Sequence, residues 1–293
     1  MYLRQKKPDL TILMWDDMLR NIGVDVLMKY ELCNVVQPVV WDYNVKEFFQ
    51  IKDQLWEKYR QLFPKVWAGS AYKGANGSCQ ILSPVNRYVS NHEAWMQVFH
   101  KQSSKLDFTG IILTGWSRYD HYATLCELLP VALPSLASCL RLLTKAESTP
   151  NECVVNESLP RQQWPGVEAA RLVHSFLLLR EQAHSFIHGD LVTTWLNAWQ
   201  IENNYTNPIQ AENIVVVAKQ LLSEFTSLQA ELIPNLNAVT GRRSTEEWVK
   251  TYVIPLINKI SELHKTAEAR SKADAGVSPL NTLSLKNKYW NVQ

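Results

Sequence analysis

Four short apolar runs in the first half of the chain each lead into a tryptophan and then into polar residues. They occupy residues 10–15, 35–41, 65–67 and 110–116. Short runs rich in β-branched and aliphatic residues are typical of strands buried on both faces. The segments between them are long enough for crossover helices, so the pattern predicts a parallel sheet that is part of a (β/α)₈ barrel. The candidate site residues are then the aromatic and polar ones at the strand ends.

Residue patterns also predict the elements around these runs. We expect strands at 10–15, 35–41, 66–68 and 111–114, and helices at 48–63 and 86–100. A further helix is predicted from Tyr122 onward, with Asp120 as its cap. The glycine- and serine-rich segment 69–84 predicts an irregular loop. Pro38 falls inside the second strand, which requires that its missing N–H lie at an edge or a bulge.

The second half of the chain has a different composition. Residues 1–145 form the predicted partial barrel, and the polar segment 146–166, which contains prolines, predicts a linker. Residues 167–270 carry amphipathic patterns that predict an α-helical bundle, with one helix capped by Thr245 and bent at Pro255. Residues 271–293 are polar and predict a disordered tail. A partner-binding role for the apolar face of residues 214–232 is one alternative to internal packing.

Composition excludes several classes of protein. The 293 residues are 46% hydrophobic and carry a formal net charge of +2, which argues against nucleic-acid or membrane-surface binding. Five cysteines without CxxC spacing predict neither a disulfide framework nor a zinc site. A short, basic N-terminus and the lack of a long apolar stretch predict a cytoplasmic and nuclear protein. We expect no metal and no cofactor, since neither metal-ligand spacing nor a phosphate-binding loop occurs.

Four motifs in the first half carry a resemblance to a known family. They lie, in this order, at residues 15–19, 41–43, 71–75 and 116–130, the last reading WSRYDHY and then CELLP. Together they resemble the β-N-acetylhexosaminidases of glycoside hydrolase family 20, over roughly residues 8–145. The resemblance implies that the four strands are strands five to eight, the C-terminal half of a (β/α)₈ TIM barrel, followed by an α-helical bundle.

The resemblance also implies chemistry that this chain does not contain. Enzymes of the family carry an Asp-Glu pair after strand four, in a His-x-Gly-x-Asp-Glu setting that is not in this sequence. The Glu acts as the acid, and the Asp orients the acetamido group of the substrate, which attacks its own anomeric carbon. We therefore expect a retaining hydrolase of terminal N-acetylhexosamine, with N-acetylgalactosamine preferred over N-acetylglucosamine, from which the acid-bearing part is truncated. The alternative is a non-catalytic sugar-binding or regulatory short form.

The resemblance assigns substrate contacts to the strand ends and assigns no catalytic residue within the chain. Trp116 would pack on the methyl of the N-acetyl group, and Tyr43 would hold the acetamido group, with Tyr72 as the second candidate. Arg118 stands where many members have a glutamate, so Asp120 would replace that contact. Lys73 is expected to be solvated or to brace its loop, and His121 to be structural. Asp16 or Asp17 would bind sugar hydroxyls or hold a neighbouring residue, and capping of a helix is the alternative for Asp17. The predicted substrate-binding residues are Trp15, Asp16, Trp41, Tyr43, Tyr72, Trp116 and Asp120.

Two further expectations concern geometry and partners. If the interpretation holds, Trp15, Trp41, Trp67 and Trp116 surround one shared cavity. The partner would be an N-acetylhexosamine-terminated glycoconjugate, with a homodimer as a possible assembly. Neither nucleic acid nor a membrane is expected as a partner.

Overall fold

The computed structural model describes residues 2–144 and 164–272. The predicted linker at 146–166 and the predicted tail at 271–293 fall almost wholly outside these residues. The chain divides into two compact units, Met1–Val167 and Glu168–Gln293.

The first unit alternates strands with helices. Its strands are β1 (Leu13–Trp15), β2 (Gln37–Trp41), β3 (Val66–Lys73) and β4 (Phe108–Gly115). Its helices are α1 (Tyr2–Lys6), α2 (Asp17–Arg20), α3 (Val24–Lys29), a 3₁₀ turn (Leu32–Asn34), α4 (Asp53–Leu62), α5 (Val85–Gln102) and α6 (Leu129–Thr144).

The four strands form one parallel sheet in the order β1-β2-β3-β4. Trp15 is paired with Val39, Val40 with Ala68, and Ala71 with Thr114 across successive strands. The predicted α/β class is therefore confirmed. Closure of this sheet into a barrel stays a prediction.

Pro38 lies inside β2 without disturbing the sheet. The N–H of the preceding Gln37 donates to Ile12 on the β1 side, at 2.8 Å, so the next residue faces β3. The pairing of β2 with β3 starts only at Val39. The N–H that proline lacks is therefore not needed for the ladder, as expected for a proline at the margin of a paired region.

Two predicted boundaries are wrong for physical reasons. β3 continues to Lys73 where an irregular loop was expected, because residues 69–73 pair with residues 112–115 of β4. The predicted helix from Tyr122 is absent, since Asp120 accepts the Tyr122 N–H at 3.1 Å within a local turn and α6 begins only at Leu129. Pro130 lies in the first turn of α6, where its missing N–H costs nothing. β1, at Leu13–Trp15, is also shorter than the strand predicted at 10–15.

One face of the sheet packs on helices α3 to α5. Val40, Val66 and Ala68 lie in a buried cluster with Trp56 of α4 and Trp95 of α5. Because strand side chains alternate, the residues between them point to the other face. That second face carries the tryptophans considered below.

The second unit is helical. Its elements are α7 (Val167–His188), α8 (Asp190–Trp195), α9 (Ala198–Glu202), α10 (Pro208–Thr240), α11 (Arg242–Trp248), a π-helical turn (Val249–Val253) and α12 (Ile254–Ser271). α10 packs along α12, and Ile214, Phe225 and Leu232 are fully buried. The apolar stripe of residues 214–232 is thus internal packing, which removes the basis for the partner-binding alternative.

The junction of α10 with α11 differs from the prediction. Thr245 lies within α11, where its hydroxyl donates to the Gly241 carbonyl at 3.0 Å, and Gly241 occupies the cap position with a φ of +78°. The π-helical turn directly precedes Pro255, which lies in the first turn of α12. Proline cannot supply an N–H to the preceding turn, and a wider turn accommodates that loss. Across the described residues, no helix has the length and apolar character that crossing a membrane requires.

Candidate functional site

Three tryptophans gather at the carboxyl-terminal edge of the sheet. Trp15 ends β1, Trp41 ends β2, and Trp116 follows β4 directly. The rings of Trp15 and Trp116 lie 5.9 Å apart between centroids, tilted by 44°. A Cβ atom on Gly69 would lie 2.9 Å from both the Trp15 ring and the Cβ of Trp41, so these residues close over that glycine.

Tyr43 joins the indoles to one another. Its ring stacks on Trp41 at 5.0 Å, and its phenol lies close to the side chains of Thr114 and Trp116. Burial raises the pKa of the Tyr43 phenol, and the Thr114 and Trp116 side chains act against the rise. The hydroxyl is therefore neutral at physiological pH. We call Trp15, Trp41, Tyr43 and Trp116 the aromatic wall.

Trp67 does not belong to the aromatic wall, and the expectation of a ring of four tryptophans is wrong in this respect. Its indole N–H donates to the side chain of Gln37, the first residue of β2, at 2.7 Å. Its ring covers Gly110, near the start of β4, where an added Cβ would approach to 2.8 Å. Trp67 precedes Gly69 by two residues, so it lies on the same face but nearer the amino-terminal edge.

Asp16 holds a neighbouring residue and is not accessible to a ligand. It is 0% exposed, and its two oxygens accept from Arg20 at 2.7 and 2.9 Å. Tyr59 donates to the same carboxylate at 3.0 Å. Burial raises the pKa of Asp16, and the paired guanidinium opposes that shift. Arg20 in turn donates to the Trp41 carbonyl and lies 5.1 Å above the Trp41 ring, so this ion pair supports the aromatic wall from behind.

The next residue, Asp17, is the accessible acid of the doublet. Its side chain is exposed at the start of α2, and the Trp41 indole N–H points to its carboxylate at 3.4 Å. It lies close enough to Tyr43 to act on the pKa of that phenol. Of the two candidates for binding sugar hydroxyls, Asp17 therefore has the geometry and Asp16 does not.

Tyr72 and Asp120 occupy different environments. Tyr72 lies on β3, half-buried, with its phenol packed so tightly on Gly115 that no Cβ fits there. Burial raises the pKa of Tyr72. Asp120 is exposed, and its carboxylate is engaged in the turn of its own loop, where Arg118 also donates to the Ala123 carbonyl at 2.8 Å. Tyr72 thus borders the aromatic wall, whereas Asp120 shapes the loop that follows Trp116.

The sequence patterns did not identify Lys73 and Glu127 as two buried charged residues that lie close to each other. Lys73 is 3% exposed rather than solvated, and its ammonium donates to the Trp116 carbonyl. Glu127 is 0% exposed and accepts from the Gly74 N–H and the Tyr88 hydroxyl. The only indication of burial in the sequence was that each of these two charged residues stands among mostly apolar residues. Asp42 is a further buried acid, which accepts from the backbone of Asn44 at 2.8 Å.

Within residues 2–144 and 164–272, no three His, Cys, Asp or Glu side chains are grouped in a way that could hold a metal ion.

Comparison with known proteins extends the resemblance beyond the motifs. The chain is 34% identical to human hexosaminidase D over 278 residues, covering 89% of this chain and 57% of that protein. It is 46% identical to cattle hexosaminidase D over 151 residues, covering 51% of this chain and 43% of that protein. It thus spans about half the length of the curated relatives it matches. No family model matches the sequence. Similarity along most of its length makes this chain a hexosaminidase D-like protein.

Proposed function

We propose that the aromatic wall forms the acetamido-binding side of a site for terminal N-acetylhexosamine. The observation that carries the proposal is the pairing of Trp15 with Trp116, together with the stacking of Tyr43 on Trp41 at the same edge of the sheet. This arrangement combines an apolar indole face with a neutral phenol at one end of a parallel sheet, where α/β proteins bind ligands. The names of the relatives support a glycosidase site of hexosaminidase type.

Each group in the wall matches a part of an N-acetylated pyranose. The exposed indole of Trp116 offers an apolar surface to the acetamido methyl or to the apolar face of the sugar ring. The Tyr43 hydroxyl can donate to the acetamido oxygen, on which negative charge increases in a substrate-assisted reaction. The Asp17 carboxylate can accept hydrogen bonds from sugar hydroxyls. We propose that the site prefers N-acetylgalactosamine to N-acetylglucosamine.

Catalysis would need an acid that this chain lacks. The buried acids Asp16, Asp42 and Glu127 are occupied by hydrogen bonds from the protein itself. The proposed reaction is retaining and substrate-assisted, so it uses an Asp-Glu pair that the 293 residues do not contain. We therefore propose that the sheet is strands five to eight of a (β/α)₈ barrel and that turnover depends on carboxylates outside this sequence. The greater length of the relatives supports this division.

A non-catalytic sugar-binding role is the second candidate. It is favoured by the presence of the aromatic wall in a sequence that does not contain the Asp-Glu pair. In that case the chain would bind N-acetylhexosamine without hydrolysing it and would act as a recognition or regulatory module.

Binding and turnover measurements on the 293-residue chain separate these possibilities. Calorimetric titration with N-acetylgalactosamine and N-acetylglucosamine should detect binding, tighter for the former and abolished by Trp116→Ala. Trp199→Ala is the matched control, because it also removes an exposed indole, at 57% exposure, from another part of the chain. Failure to bind either sugar would contradict the proposal.

Hydrolysis of a nitrophenyl N-acetylhexosaminide decides the catalytic question. The 293-residue chain should show no turnover, and a form extended to include the Asp-Glu pair should be active. Turnover by the 293-residue chain would refute the missing-acid argument. An inactive extended form with intact sugar binding would favour the non-catalytic role.

A further inference from the structure

The peptide group of Trp116 is bound from both sides by one buried residue. β4 ends at Gly115, so Trp116 is the first residue beyond the regular strand. Its N–H donates to the Lys73 carbonyl at 3.3 Å, and its carbonyl accepts from the Lys73 ammonium. Lys73 ends β3 and is 3% exposed. The direction in which the Trp116 indole leaves the sheet is therefore set by Lys73.

A second buried residue fixes the segment that carries Lys73. The Glu127 carboxylate accepts from the N–H of Gly74, the residue directly after Lys73, and from the Tyr88 hydroxyl at 2.9 and 3.0 Å. Gly74 has a φ of +74°, and the Trp116 carbonyl leaves no room for a Cβ there. Glu127 itself has a φ of +44°, an unfavourable conformation for a glutamate that persists only when its surroundings impose it.

The two residues also compensate each other electrostatically. Burial lowers the pKa of Lys73, and the Glu127 carboxylate acts against that shift. Burial raises the pKa of Glu127, and its hydrogen bonds and Lys73 act against that shift. The two charges therefore influence each other, while the contacts that hold each of them are hydrogen bonds to other groups.

From this geometry we infer that Lys73 and Glu127 are positioning residues that orient Trp116 and thereby set the affinity for the N-acetyl group. The inference rests on the proposed function for its consequence in binding, although the positioning itself is independent of it. Glu127 is not a proton donor to the substrate, because its carboxylate is fully buried and engaged by protein donors. Glu127 can therefore affect ligand binding only through the position of the Trp116 indole.

Fluorine NMR of the chain labelled with 5-fluorotryptophan tests the positioning directly. Loss of a signal in Trp116→Phe identifies the Trp116 resonance. Lys73→Met keeps the aliphatic stem and removes the ammonium, and Glu127→Gln removes the charge; both should shift or split that resonance. Lys101→Met is the control, because it makes the same substitution on α5 at an exposed ion pair with Asp53.

Titration with N-acetylgalactosamine tests the consequence for binding. Loss of a charged hydrogen bond that orients a contact predicts binding about ten-fold weaker in Lys73→Met, with partial recovery in Lys73→Arg. Lys101→Met should retain the affinity of the parent chain. A merely structural role of Lys73 predicts that Lys73→Met is less stable but that its folded form binds with unchanged affinity.

The outcomes separate the inference from the proposed function. A Trp116 resonance that both variants leave unchanged overturns the inference, whether or not the parent chain binds sugar. A parent chain that binds no sugar refutes the proposed function, while the NMR result still decides the positioning. If Lys73→Met and Glu127→Gln do not fold, Tyr88→Phe provides the test. It removes the hydrogen bond from the Tyr88 hydroxyl to Glu127 and should shift the Trp116 resonance by a smaller amount.

Discussion

Replacing Gly69 by alanine places one methyl group between two indoles of the aromatic wall. The new Cβ would lie 2.9 Å from the Trp15 ring, 2.9 Å from the Trp41 Cβ and 3.4 Å from Val39. Carbon atoms pack best at about 3.5–4.0 Å, so two of these neighbours must move by roughly half an ångström. Because Trp15 also contacts Trp116, the displacement spreads through the wall.

The cost in stability follows from the overlap. Overpacking a filled site typically costs about 1–3 kcal/mol, and the gain from removing a flexible glycine offsets about 0.5–1 kcal/mol of it. A net loss of about 1–2 kcal/mol should lower the melting temperature by roughly 2–8 °C in a unit of this size. Circular dichroism during thermal unfolding measures that shift.

Gly110 provides a matched control on the same face of the sheet. A Cβ there would lie 2.8 Å from the ring of Trp67, so Gly110→Ala introduces a similar overlap outside the aromatic wall. We expect both substitutions to lower the melting temperature to a similar extent. Only Gly69→Ala should weaken N-acetylgalactosamine binding, by about five-fold for each kcal/mol of lost contact. Equal binding by the two variants, or a greater loss in Gly110→Ala, would refute the placement of the site.

Three other predictions concern Arg20, Tyr43 and the buried His92, whose ring lies 2.9 Å from the Ser70 hydroxyl of β3. Arg20→Ala leaves the buried Asp16 carboxylate without its counter-charge and should cost about 3–5 kcal/mol in urea unfolding, whereas Arg60→Ala, which breaks an exposed ion pair, should cost under about 1 kcal/mol. Tyr43→Phe should weaken sugar binding measurably in the same titration; unchanged affinity would exclude a role for its hydroxyl. Burial lowers the pKa of His92 in the folded chain, so its contribution to stability is complete above the unfolded pKa, about 6.5, and is lost as the pH falls below it. His92→Gln should therefore show a smaller drop in urea midpoint between pH 7.5 and 5.5, and an identical drop would contradict this.

Local sequence patterns were sufficient for the class of fold and for the position of the strand ends. The run at 35–41 predicted β2 to within two residues and its end at Trp41. The parallel sheet was predicted from two features. The apolar runs lack alternation, which indicates strands covered on both faces, and the segments between them are long enough for crossover helices. Such signals depend only on residues that are close in sequence, so they can be recognised without knowledge of the fold.

The boundaries of β3 and α6 could not be obtained in this way. Gly69 and Ser70 have the composition of a loop, yet they lie in β3 because a distant strand, β4, supplies their hydrogen bonds. Asp120 has the character of a helix cap, yet its carboxylate ends a local turn. In both cases long-range pairing outweighs the local preference.

For the candidate site, the sequence by itself determined which residue types stand at the strand ends: indoles, a phenol and two adjacent acids. Only the tertiary structure decided which of them face a ligand. Asp16 and Asp17 are chemically alike, but Arg20 and Tyr59, the latter 43 residues away, withdraw Asp16 into the interior and leave Asp17 exposed. Arg20 is a local partner, four residues after Asp16, but Tyr59 is brought to Asp16 only by folding, and no local pattern contains it.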